Sequence, residues 1–295
     1  MLEFPSFLHI PLAEVVDVVI TWLLVHWAGF FDVVSSTVLY SLMNIEHFFL
    51  WLPWFVVVGL VGAFAWWTIR RWWGVVILAG FLVVIGSFGY WEETMMTLAI
   101  IVVSVIISLS VGIPAGIVMT RSDRVQSVIK PALDAMQTMP SFVYLIPALM
   151  FFGLGKVPAV FATVIYAMPP VIRLTNVGIR QVSTDVVEAA RAFGSSGRQV
   201  LFEVQLPLAI PSIMVGINQT TMMALAMVVI ASMIGARGLG LEVLKSINRI
   251  EVGRGVEAGL CIVLMAIIID RISYAIAARQ DYTVKTKFQS RKKGN

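Results

Sequence analysis

Between residues 52 and 277 the chain divides into seven apolar runs separated by short polar or basic breaks. A helix needs about 20 mostly apolar residues, within a range of about 17–25, to cross a hydrocarbon core. The runs cover residues 52–69, 72–90, 94–119, 140–154, 157–174, 213–235 and 256–277, and Arg70-Arg71 stop the first of them. The fourth is short. Only 13% of the residues are charged, and the mean hydropathy is +0.91. A soluble domain carries roughly a quarter charged residues, and a chain this apolar would expose surface it could not cover. The expected fold class is therefore all-α: a polytopic membrane protein of about seven transmembrane helices.

The basic residues sort the runs. Cytoplasmic loops are enriched in Lys and Arg. Sixteen of the 21 fall around residues 70–71, 120–130, 173–205 and 271–295, which alternate to one side. The other side has Lys156, Arg237, Lys245, Arg249 and Arg254. The first side is thus the cytoplasm. Seven crossings with the C-terminus inside leave the N-terminus outside. Residues 1–50 suit that side, since they hold no Lys or Arg and carry Glu3, Glu14, Asp17, Asp32 and Glu46. Within them, residues 12–31 mix apolar side chains with Glu14, Asp17 and His26 and read as an amphipathic, interfacial helix; read instead as an eighth crossing, the segment would put the N-terminus inside. Three regions follow: an interfacial segment (1–50), a transmembrane domain (51–277) and a basic cytoplasmic tail (278–295) whose Arg279, Lys285, Lys287, Arg291, Lys292 and Lys293 would attract anionic lipid.

Several function classes are disfavoured. The net charge of +4 gathers at span ends and makes no nucleic-acid face. Cys261 is the single cysteine, and His9, His26 and His47 lie too far apart for a metal set. No catalytic constellation stands within the runs, and no G-x-x-x-x-G-K-[ST] phosphate loop is present. An ion-coupled secondary transporter would want an acid at mid-depth. Glu257 and Asp270 lie instead near the ends of a run.

One loop carries a specific pattern. Glu188-Ala189-Ala190, three residues, Gly194, nine residues, Val204, one residue, then Leu206-Pro207. Asp185 and Glu188 suit the start of a helix over 184–193. Gly194 is placed to end it at positive φ, and a second short helix over 201–204 would stop before Pro207. This pattern resembles the EAA loop of ABC importer permeases, with Val204 where isoleucine is usual. The stretches 134–140, 166–170, 216–219, 235–240 and 256–259 are similar to the permeases of glycine betaine/proline betaine uptake systems.

The resemblance implies a type I importer permease without an ATPase site of its own and with no cofactor in this chain. ATP would be used by separate ATPase subunits that dock on the loop 184–207 through Glu188, Ala189, Ala190, Gly194, Leu206 and Pro207. It also implies a second permease copy and an extracytoplasmic binding protein. The expected cargo is a betaine, with choline, carnitine or an amino acid as the alternative. Polar residues inside the runs are candidates for the path or for helix packing: Ser104, Ser108, Asn218, Gln219, Thr220 and Thr221. Pro169-Pro170 predicts a kink or break. Gly112-x-x-x-Gly116 and Gly255-x-x-x-Gly259 would allow close packing. Asp270-Arg271 reads as an interfacial ion pair.

Overall fold

The computed structural model describes residues 11–69 and 72–292, and among them every regular element is helical. The N-terminal part holds α1 (Leu12–His26), α2 (Ala28–Trp51), α3 (Trp54–Ile69) and α4 (Trp72–Ser87). The rest is built from α5 (Trp91–Thr120), α6 (Asp123–Thr138), α7 (Leu145–Phe152), α8 (Lys156–Arg180), α9 (Thr184–Ala192), α10 (Gly197–Gln199), α11 (Leu206–Ala231), α12 (Leu239–Arg249) and α13 (Val252–Lys292). Residues 1–10, Arg70-Arg71 and the side chains of the basic tail, on which some of the expectations above rest, lie outside the described residues.

Among the described residues, five stretches are long and apolar enough to cross a bilayer: α2, α5, α8, residues 197–234 and residues 252–276. α3 and α4 are shorter and pack against each other. At 1.5 Å per residue each extends about 24 Å. The run over 140–154 is not a straight span. It forms a tight 3₁₀ turn (Ser141–Tyr144) and the eight residues of α7. With α6 it makes a pair bent by 110°. An apolar count over a window cannot register such a bend. Conversely, α2 lay outside the seven runs because Asp32, Glu46 and His47 dilute its hydropathy.

The centre is α8, packed between α5 and α11. Small residues let these backbones approach, as helix interfaces in membranes require. A Cβ added at Gly116 would stand 2.6 Å from Thr175 Cβ and 2.7 Å from the Ile172 carbonyl oxygen. One at Gly178 would stand 2.6 Å from Ser212 Cβ. Gly112 is equally crowded by Val171, whereas Gly259 has open space. The first glycine pair thus marks a close crossing, and of the second pair only Gly255 approaches a neighbour, Ser246.

Of the kink or break expected at Pro169-Pro170, the break is absent. α8 runs unbroken from Lys156 to Arg180, with both prolines buried. Packing on both sides holds the helix through the two missing N–H donors.

Candidate functional site

Arg180 is the last residue of α8, and after three intervening residues α9 begins at Thr184. The short helix stands clear of the bundle and has no buried residue. Asp185 lies in its first turn, where negative charge suits the helix dipole. Glu188 and Ala189 are exposed and Ala190 is half-buried. The helix ends one residue before the sequence suggests, and its cap is complete. Gly194 takes φ 84°, its N–H donates to Arg191 O (2.9 Å), and the Ser195 N–H donates to Ala190 O (3.1 Å). That pair of bonds satisfies carbonyls the helix end would leave open. Phe193 stands beside the corner, 92% exposed.

The next helix starts at once. Ser196 and Gln199 form a capping box, with the Ser196 N–H donating to the Gln199 side chain at 2.9 Å and the Gln199 N–H returning to Ser196 Oγ. From Gly197 the chain continues through α10 and a π-helical stretch (Val200–Gln205) into α11. The reading of 201–204 as a separate helix closed by Pro207 is therefore corrected. Pro207 lies within this continuous helix, directly after the π-helical stretch, and the helix runs on through it. Leu206 and Pro207 are half-buried, while Val200 and Leu201 are buried. The loop is a helix, a four-residue glycine corner (193–196) and a second helix continuous with a membrane-length one.

The residues considered for a path do not share one surface. Ser104, Ser108 and Thr220 are fully buried, and Thr221 is nearly so. Ser108 Oγ donates to Val164 O of α8 at 3.5 Å, and Thr221 Oγ1 donates to Ile217 O at 2.8 Å. The hydroxyls of Ser104 and Thr220 have no partner. Gln219 is exposed, and Asn218 donates from Nδ2 to Asp270 Oδ1 at 3.4 Å. Asp270 also lies 3.8 Å from Arg271 Nε, so it bridges α11 and α13 as well as pairing locally. Among the described residues, no group of three or more His, Cys, Asp or Glu is placed to hold a metal ion. Trp51, Trp54, Trp66, Trp67, Trp72 and Trp73 are exposed at helix ends, as an interfacial belt requires.

Sequence reasoning missed two polar features. Lys156 Nζ donates to both oxygens of Glu46, at 2.6 and 2.7 Å, in a pair whose side chains are 17% and 6% exposed. It ties α2 to the start of α8. The second is the set of contacts around Arg173 and Arg180 that joins α8 to α6. Partners 39 to 110 positions apart leave no local pattern; single unpaired charges at the ends of apolar runs were the only available signal.

Residues 112–282 match the family model described as binding-protein-dependent transport system inner membrane component. The chain is similar to the glycine betaine transport system permease protein OpuAB of Bacillus subtilis, 46% identical over 92% of this chain and 96% of that one. It is 47% identical to the glycine betaine/carnitine transport permease protein GbuB of Listeria monocytogenes, over 92% and 97% of the two chains. Against the glycine betaine/proline betaine transport system permease protein ProW of Escherichia coli it is 46% identical, over 90% of this chain and 75% of that one. In fold it is similar to a chain of the inward-facing MetNI methionine ABC transporter, with a TM-score of 0.60 at 19% identity over 65% of this chain and 95% of that one.

Proposed function

Because the chain belongs to the family of binding-protein-dependent transport system inner membrane components, as the permease subunit of an ABC importer, we propose that its cargo is glycine betaine or proline betaine and that it forms the path by alternating access. It is a multi-pass inner-membrane protein. Two of these permease copies, two cytoplasmic ATPase subunits and an extracytoplasmic binding protein complete the importer. ATP is hydrolysed on the ATPase subunits, and this chain has no ATPase site and takes no cofactor. The substrate reading rests on relatives at 46–47% identity that are named for glycine betaine transport. Residues 1–50 lie at the outer interface, 51–277 form the permease domain and 278–295 form a cytoplasmic tail at anionic lipid. Uptake of labelled glycine betaine with the cognate binding protein, challenged with proline betaine, choline, carnitine and methionine, tests the cargo. Stronger competition by an amino acid would transfer the reading to that class. Uptake driven by an ion gradient without ATP would transfer it to secondary transport.

The loop 184–207 is the docking and coupling element, and the observation that carries this is its shape. An exposed helix turns through a positive-φ glycine straight into a membrane-length helix. A Cβ at Gly194 would meet nothing within 4 Å, so a substitution there acts through φ alone. A non-glycine residue at that conformation costs about 1–2 kcal/mol, a factor of roughly 5–30 in a local equilibrium. Gly194→Val should therefore leave the chain made and inserted while ATPase association, substrate-stimulated hydrolysis and uptake fall together. Glu188→Gln should give a milder form. Normal stimulated hydrolysis and uptake in Gly194→Val would remove the coupling role from this loop.

A further inference from the structure

We infer that Arg180, assisted by Arg173, is the positioning residue that carries movement of the coupling loop into α6 and the bent α6–α7 pair; this rests on the docking role proposed for the loop. Arg173 and Arg180 are seven residues apart on α8, so they project from about the same face. Each pairs with an aspartate near one end of α6. Arg180 Nη1 donates to Asp123 Oδ1 at 2.7 Å, and Arg173 pairs with Asp134. The order is antiparallel, and together the two pairs span α6 from its first residue to Asp134, one turn short of its end.

Arg180 does more than pair. Its Nε donates to Asn176 Oδ1 at 3.1 Å, and its Nη2 donates to Met119 O at 3.2 Å. Met119 lies in the last turn of α5, where carbonyls lack helix partners and the dipole favours a cation. One guanidinium therefore holds the end of α5, the start of α6 and the end of α8. Only Arg presents a rigid planar fork able to serve three separate acceptors.

Position gives these contacts their meaning. Gln181, Val182 and Ser183 alone separate Arg180 from α9. Any tilt of α9 reaches this guanidinium before the rest of α8. Apart from these polar contacts α6 is held by one apolar face: Leu133, its one buried residue, clusters with Met119 and Ile172, and Val125, Ile129 and Met136 pack against that cluster. Such apolar contact is non-directional and permits sliding, whereas the ion pairs fix the register of α6 on α8. At its far end the Tyr144 hydroxyl donates to Met136 O, linking α6 to the turn that leads into α7. The clasp thus makes α6 move with the cytoplasmic end of α8. Without it the loop would still dock, and α8 would move while α6 stayed behind. The carboxylates are well exposed, 90% for Asp123 and 50% for Asp134, so the pairs contribute little to stability. Their removal should leave the fold standing.

The test uses the complete complex of permease, ATPase and binding protein in vesicles. Subunit association, ATP hydrolysis and uptake per ATP are measured for Arg180→Gln, Arg180→Lys, Asp123→Asn and the Arg180→Gln/Asp123→Asn double variant. Arg180→Gln should keep association and hydrolysis while uptake per ATP falls about tenfold, the size of a typical coupling between sites. Asp123→Asn should show a smaller fall of the same kind. The double variant should be no worse than Arg180→Gln, and Lys should rescue only part of the loss. An unchanged ratio of uptake to hydrolysis in Asp123→Asn, or in an Arg180→Gln complex that assembles, overturns the proposal. So does a parallel fall of association, hydrolysis and uptake in Asp123→Asn. The docking role is tested separately, by association in Gly194→Val, so the two can fail independently.

Discussion

Two residues in this chain occupy the same kind of helix cap, and only one of them is a glycine. After α9 the cap residue is Gly194; after α12 it is Ile250, at φ 58°, with its N–H on Ile247 O and the Glu251 N–H on Ser246 O. The hydrogen bonds match, so the backbone demand is the same. A β-branched side chain in the left-handed region is an outlier, and left-handed geometry costs an L residue about 1–2 kcal/mol. Ile250 is 84% exposed, so burial within the chain returns little of that cost. Ile250→Gly should therefore stabilise the isolated permease, by up to about 1 kcal/mol once glycine's greater loss of chain freedom is subtracted. The thermal midpoint in detergent should rise. A fall would mean that the isoleucine makes contacts that outweigh its strain.

At the scale of helices, α5, α8 and α11 stand or fall on small residues. Gly116 faces Thr175 Cβ and the Ile172 carbonyl oxygen, neither of which is the far end of a flexible side chain. Gly116→Leu must push α5 off α8, and overpacking of this kind costs about 1–3 kcal/mol, occasionally more. Gly259→Leu serves as the control, because a Cβ there meets nothing within 4 Å. The expected outcome is a lower thermal midpoint and poor recovery of the first variant only; equal behaviour of the two would show that the crossing is slack. This crossing was legible as Gly112-x-x-x-Gly116, because spacing alone puts both glycines on one face. The exposed helix and the glycine corner at 194 were legible for a similar reason: the signals are local. Pro207 was misread because a local stop signal was overridden: the helix that Ser196 and Gln199 start upstream runs on through it. At Pro169-Pro170 the helix is unbroken, because tertiary packing offsets the local penalty. The Glu46–Lys156 pair and the Arg180 contacts had no local sign, since each depends on helices brought together only by the fold.

For the whole molecule, the open matter is which side of the membrane holds the N-terminus. The tail, with six basic residues, and the loop 184–207, with Arg191 and Arg198, lie on the side that holds 16 of the 21 Lys and Arg, so both are expected inside, with α12 outside between α11 and α13. By the same alternation the start of α8 at Lys156, and the α7–α8 turn before it, lie outside. Both halves of α2 meet that region. Phe31 stacks on Phe151 at the end of α7, with ring centroids 4.7 Å apart, and Glu46 binds Lys156. The contacting residues of α2 are fifteen positions apart, about 22 Å along a helix, yet their partners flank one short turn. That arrangement favours α2 lying against the outer side of the bundle. α1 and α2 also contain no Lys or Arg to hold their start in the cytoplasm, and α1 places Glu14 in its first turn. A tag fused before Met1 should therefore react with an impermeant reagent in intact cells, while a tag after Asn295 should react only after permeabilisation. Against this stands the length of α2, which at 24 residues is long enough to cross. Protection of the N-terminal tag would make α2 an eighth crossing and place residues 1–27 in the cytoplasm, with the side of the loop and tail unchanged.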